Sequence, residues 1–94
     1  MPTAVFGSYE WDTDKADANL EKHGVSFVEA ATALQDRNAV YLDAGTGHEQ
    51  RYAAIGMSAA ARVLSVVHIE RGERDRIVSA RVATATEESL YSER

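Results

Sequence analysis

Six arginines, Arg51, Arg62, Arg71, Arg74, Arg76 and Arg81, fall close together with Glu70, Glu73 and Asp75 as the acids between them, a local balance of +3. A guanidinium presents a planar fork of donors that matches two phosphate oxygens at once, so a cluster of arginines is suited to holding a phosphodiester. The competing explanation is a set of strand-surface arginines paired with neighbouring acids and kept in water. His23 is the second candidate, because imidazole exchanges protons near neutral pH. It also stands immediately before Gly24, where a cation complements the last carbonyls of a helix, and that role needs no activity. Tyr91 offers a ring suited to filling a core. His48 lies in a polar, glycine-containing loop, and His68 alternates with Val66 and is expected on a strand surface. Without cysteine and without close ligand spacing among the histidines, neither a zinc site nor any other cofactor is expected.

Charge is unevenly divided. Residues 1–50 carry three basic side chains against nine acidic ones, and residues 51–94 carry seven against six, for a net charge of -5. Overall acidity disfavours non-specific nucleic-acid binding, which depends on neutralising phosphates, whereas the arginine-rich half retains the means for it. A chain of 94 residues supports one domain, spanning 1–94. The absence of cysteine gives no reason to place it in an oxidising compartment. The opening Met1-Pro2-Thr3-Ala4-Val5-Phe6 lacks the basic and apolar regions of a signal peptide, and Arg62 and His68 interrupt the apolar stretch from Ala53 to Ile69, so a cytoplasmic protein without a membrane span is expected.

The elements that must position these side chains follow from local pattern. Ala4 to Glu10 reads as one β-strand, with Trp11 plugging the core beside it. Asp12 or Asp14 caps a helix over Thr13 to His23, with Ala16, Leu20 and His23 on one face at i, i+4 and i+7. Gly24 stops it. Ser26 with Glu29 forms a capping box for a second helix, where Val25 staples onto Ala30 and Phe27, Ala30, Ala31 and Leu34 make an apolar stripe. Strands are expected at Ala39–Leu42, Arg51–Gly56, Arg62–Glu70 and Asp75–Val82. Alternation in the last sets Ile77, Ser79 and Arg81 against Arg76, Val78 and Ala80. Thr84 and Glu87 cap a final helix carrying Leu90 and Tyr91. The order β-α-α-β-β-β-β-α predicts an α+β fold, an antiparallel sheet of four to five strands with two N-terminal helices packed on one face and a short C-terminal helix.

Trp11-Asp12, Lys15, Asn19, Lys22-His23-Gly24-Val25-Ser26-Phe27 and Glu29-Ala30 form the first part of a longer pattern. It continues through Arg51-Tyr52, Gly56, Arg62, Leu64 and Val66-Val67 to Arg76-Ile77-Val78-Ser79-Ala80-Arg81. The whole resembles the BrnT family of bacterial toxins, over most of the chain from Phe6 to Tyr91. The resemblance implies a RelE-like fold and the toxin of a type II toxin–antitoxin pair. Such a toxin is an endoribonuclease that arrests growth and is neutralised by a ribbon-helix-helix, BrnA-like antitoxin. It further implies a heterotetramer of two toxins and two antitoxins that represses its own operon, touching operator DNA only through the antitoxin. The alternative is a non-catalytic antitoxin-binding or regulatory module of the same fold.

Metal-independent RNA cleavage requires an activated 2′-OH, stabilisation of charge on phosphorus and protonation of the leaving oxygen. By the resemblance, Arg51 and Arg81 are expected at the phosphate, His23 in proton transfer or substrate positioning, and Lys22, Arg62 and Arg76 along the RNA backbone. Tyr91 is the stacking candidate. Arg81 has a competing structural role, as partner of Glu87 or Glu88 in the final helix.

Overall fold

The computed structural model describes residues 2–45, 47 and 49–93. The elements run β1 (Thr3–Phe6), β2 (Tyr9–Asp12), α1 (Thr13–His23), α2 (Phe27–Leu34), β3 (Val40–Asp43), β4 (Arg51–Met57), β5 (Val63–Arg71), β6 (Arg74–Val82) and α3 (Ala85–Ser92). The strands form one mixed sheet of six, in the order β1-β2-β6-β5-β4-β3.

Two features of the expected sheet are corrected. The first strand is a hairpin, with Gly7 at φ +61° letting the chain reverse between β1 and β2. Furthermore, β2 runs parallel to β6, Tyr9 opposite Asp75 and Glu10 opposite Arg76. The constraint against parallel pairing concerns strands joined by short loops, and the chain between β2 and β6 contains both helices and three strands.

Helix ends behave as their sequence dictates. The Asp12 carboxylate accepts from the backbone N–H groups of Asp14 and Lys15, and Gly24 ends α1 in the left-handed conformation at φ +69°. Ser26 accepts from the Glu29 N–H at 3.0 Å, but the Glu29 side chain turns to Ser58 and Arg62, so the reciprocal half of that capping box is replaced by tertiary bonds. At α3 both halves form.

The core lies between α2 and one face of the sheet. Val25, Phe27, Ala30, Ala31 and Leu34 pack with Ala54, Leu64, Val66, Ile77 and Ala80, and Trp11 meets the Phe27 ring edge-on at 6.0 Å. The approach is close enough that a Cβ on Gly56 would stand 2.6 Å from the Ala33 carbonyl oxygen. Helix α1 takes a different place from the one expected of it. Leu20 is 50 % exposed and His23 is exposed, while Asn19 on the same helix is buried. The Asn19 side-chain amide donates to the Ala80 carbonyl at 2.8 Å and to the Val25 carbonyl at 3.0 Å, and its oxygen accepts from the Ala80 N–H at 3.1 Å. The amide thus supplies the backbone partner that β6 lacks beyond its short pairing with β2, and α1 lies along the strand edge.

A bulge decides which residues share a face. Val67 is opposite Ser79 and His68 is opposite Ile77, so two steps along β6 match one along β5, with Val78 the extra residue. The expected grouping of Ile77 with Ser79 and Arg81 is therefore wrong: Ile77 joins Ala80 in the core, and Arg76 comes onto the face of Ser79 and Arg81.

Candidate active site

On the sheet face opposite α2, side chains stand in rows across β4, β5 and β6. Arg51, Ile69 and Arg76 form the first row, Ala53, Val67 and Ser79 the second, and Ile55, Ser65 and Arg81 the third. With strands about 4.8 Å apart, Arg51 and Arg76 flank Ile69 at one end of this face. Their surroundings form a groove of about 400 Å³ with Ile69 among its lining residues. Lys15 of α1 reaches it from one side, and Ala44, Gly47 and Glu49 from the β3–β4 connection reach it from the other, with Arg71 from the end of β5. A second hollow of about 230 Å³ shares Lys15 and Val78 with the groove and adds Asn19, Lys22, His23 and Ser79. The two together make a continuous basic track running from the sheet onto α1.

The cations in this track are not equivalent. Arg71 grips Glu49 with two hydrogen bonds, Nε to Oε2 at 3.0 Å and Nη2 to Oε1 at 2.7 Å. Arg76 donates from Nη1 to Glu10 Oε2 at 2.6 Å. Arg51 and Lys15 make no side-chain hydrogen bond or ion pair among the described residues and present open donors to the groove. The hydrogen bonds from Arg71 hold the Glu49 carboxyl below its ordinary range, with the charges of Arg71, Arg51 and Arg76 acting in the same direction.

The structure thus brings Arg51 and Arg76 together at one groove, with Lys22 and His23 in the adjoining hollow. Arg81 shares their face but stands two rows along, about 13 Å further measured along the strands, where it forms a two-pronged pair with Glu87 of α3 at 2.7 and 3.0 Å. Arg62 is elsewhere: its guanidinium binds Glu29 through Nε at 2.9 Å and through Nη2, and Nη2 also donates to the Gly24 carbonyl at 3.1 Å. That triad ties the α1–α2 corner to the start of β5. Tyr91 is buried and its hydroxyl donates to Asp36, away from both hollows. The His48 loop position falls outside the described residues. His68, expected at a strand surface, is 1 % exposed, because its parity with Leu64 and Val66 turns it to the α2 side of the sheet. There it sits 3.9 Å from Asp75 and between the rings of Tyr41 and Tyr52, and burial pushes its pKa down.

Sequence reasoning missed Lys15, Glu49 and Arg71. Lys15 belongs to the family pattern but carries no role in it, and Glu49 stands two residues before Arg51, in a loop whose path depends on the β3–β4 pairing. For Arg71 the only sequence signal is its place in the arginine cluster.

Hydrogen bonds from Arg62 chiefly hold the Glu29 pKa below its ordinary value of 4.5. A lowered carboxyl pKa stabilises the fold above the unfolded value, and that contribution is lost as pH falls through the folded one. Arg62→Ala is accordingly expected to melt below wild type at pH 7, with the difference shrinking in the acid range below the ordinary Glu29 value. Thermal denaturation at pH 7 and in acid checks this, and a pH-independent difference would refute the ion-pair origin.

A profile described as "Ribonuclease toxin, BrnT, of type II toxin-antitoxin system" matches residues 11–87. The chain belongs to the BrnT family of ribonuclease toxins. A solved structure described as the 1.1 Å crystal structure of the Brucella abortus ribonuclease toxin, BrnT, is similar in fold, with a TM-score of 0.61 and 26 % sequence identity over 79 % of this chain and 92 % of that one. A search of curated proteins returns no match. The matched span of this BrnT-family chain runs from Trp11 to Glu87, so it includes Lys15, Glu49, Arg51, Arg71 and Arg76. Among the described residues no helix is long and apolar enough to cross a membrane.

Proposed function

We propose that this chain is a cytoplasmic endoribonuclease toxin that cleaves RNA without a metal ion at the groove between α1 and the β3–β4 connection. The observation that carries this reading is the convergence of Arg51, Arg71, Arg76 and Lys15 on one groove, continuous with Lys22 and His23. Arg51, with its donors unoccupied, binds the scissile phosphate and stabilises the charge that grows on its oxygens. Lys15, Lys22 and Arg76 hold the adjoining backbone. His23 delivers the proton to the departing 5′-oxygen. Arg81, two rows along the face, meets a neighbouring phosphate rather than the same one, once RNA competes with Glu87 for its guanidinium.

A cognate ribbon-helix-helix antitoxin neutralises the toxin, in an assembly of two toxins and two antitoxins that represses its own operon and reaches operator DNA through the antitoxin alone. A second reading, an antitoxin-binding module without cleavage, is favoured by one observation: Arg71, Arg76 and Arg81 are already paired with carboxylates of the same chain. Induced expression in a bacterial host separates the two. Growth arrest relieved by co-expressing the neighbouring gene, with RNA cut by purified protein in EDTA, is the expected result. Normal growth and intact RNA from verified folded protein would overturn the ribonuclease reading and leave the binding module.

A further inference from the structure

Resting on the ribonuclease reading, we propose that Glu49 is the proton acceptor that activates the 2′-OH, a catalytic role for a residue outside the expected set. A base for this step needs to be ionised, to stand beside the group that binds the phosphate, and to be fixed in place by a partner that is not itself consumed in holding substrate. Glu49 meets each requirement. Its carboxylate lines the groove together with Arg51, which is two residues further along the chain and has no carboxylate partner. Arg71 grips both carboxylate oxygens, at 2.7 and 3.0 Å, which fixes the orientation of the group and leaves the second lone pair of each oxygen to accept a proton. Glu10, the carboxylate paired with Arg76, is not among the residues lining the groove and is committed to that arginine.

The step balances as an internal transesterification. The 2′-oxygen loses its proton to Glu49 and bonds to phosphorus, the bond from phosphorus to the 5′-oxygen breaks, and that oxygen takes a proton from the acid side of the site. The products are a 2′,3′-cyclic phosphate and a 5′-hydroxyl. No oxidant, metal or water is consumed, and Glu49 is restored when its proton passes to solvent. Arg71 is a positioning residue here: it aims the carboxylate and keeps it ionised below the ordinary carboxylate range, so the base remains competent in mildly acidic solution.

The test compares wild type, Glu49→Gln and Arg71→Ala in single-turnover cleavage of a single-stranded oligoribonucleotide in EDTA across pH. Binding is measured separately on the same strand carrying a 2′-deoxy sugar at the cleavage position. Glu49→Gln keeps the shape of the side chain and is expected to lower the cleavage rate by about 10²–10⁴-fold while binding the deoxy strand at least as tightly, since one anion has left the groove. Arg71→Ala is expected to move the acid limb of the remaining activity to higher pH, a shift that a merely structural Glu49 would not produce. Thermal denaturation of each variant establishes that it is folded. Cleavage by Glu49→Gln at the wild-type rate, or a loss matched by equally weakened binding, overturns the assignment alone. Intact RNA with the wild-type protein overturns the ribonuclease reading and this assignment with it.

Discussion

Arg51→Ala is expected to reduce single-turnover RNA cleavage by about 10²–10³-fold, the range found when one preorganised donor to a developing oxyanion is removed. The melting temperature should not change measurably. Both halves of that expectation come from the same observation, that Arg51 is exposed and makes no side-chain hydrogen bond or ion pair among the described residues. Its removal breaks nothing in the fold, and surface changes of this kind alter stability within about 0.5 kcal/mol. Among the groove's arginines, Arg51 has no competing carboxylate bound to its donors among the described residues, whereas Arg71 and Arg76 are partly neutralised by Glu49 and Glu10. Arg51→Lys discriminates further: a lysine restores the charge but not the two-pronged geometry, so recovery should be partial. Wild-type cleavage by folded Arg51→Ala would remove this residue from the reaction.

The largest effect on stability is expected from Asn19→Ala. Asn19 is 7 % exposed and its amide makes three buried hydrogen bonds, two of them with the N–H and C=O of Ala80. Alanine leaves both of those β6 backbone groups and the Val25 carbonyl without their partner, and each unsatisfied buried group costs about 1–3 kcal/mol. Allowing for relaxation and water entry, a loss of about 2–4 kcal/mol follows, which for a chain of this size lowers the melting point by roughly 10–20 °C. Urea or thermal denaturation measures it. Asn19→Asp keeps the acceptor for the Ala80 N–H but loses both donors and brings a buried charge, so it should rescue nothing. A change below about 0.5 kcal/mol on Asn19→Ala would show that β6 does not depend on α1 to complete its edge.

Asn19 also illustrates what local pattern reveals. The start and stop of α1 are set by Asp12 and Gly24, whose side-chain chemistry acts within a few residues, so both were readable from the sequence. The inward face of the same helix was not. Apolar spacing favours Leu20, yet the helix lies along an incomplete strand edge, where an amide is worth more than a methyl because exposed backbone groups must be satisfied. A similar division holds in β6. Alternation correctly makes it a strand, but the extra residue Val78 reverses the expected partition, sending Ile77 into the core and Arg76 to the open face. Bulges depend on the partner strand and leave little trace in a single sequence. His68 was misplaced because Val66 shares its face and that face is the buried one, a fact decided by α2 rather than by β5.

The arginine cluster was visible as a set of residue types, and the family pattern attached a phosphate-handling chemistry to it. The set did not say which members act together. Arg51, Arg71 and Arg76 meet at one groove because β4, β5 and β6 are neighbours in a particular register, while Arg62 is drawn off by Glu29 and Arg81 by Glu87.

By itself, then, the sequence determined where the helices start and where α1 stops, the four strands from β3 to β6, the α+β class and membership of a toxin family, since capping, periodicity and motif content are local properties of the chain. Only the tertiary structure decided the hairpin and parallel edge strand, the side of each strand that meets solvent, and the grouping of Arg51 with Lys15, Glu49, Arg71 and Arg76. Those depend on long-range pairing, where a single-residue change of register moves a side chain from one face of the sheet to the other.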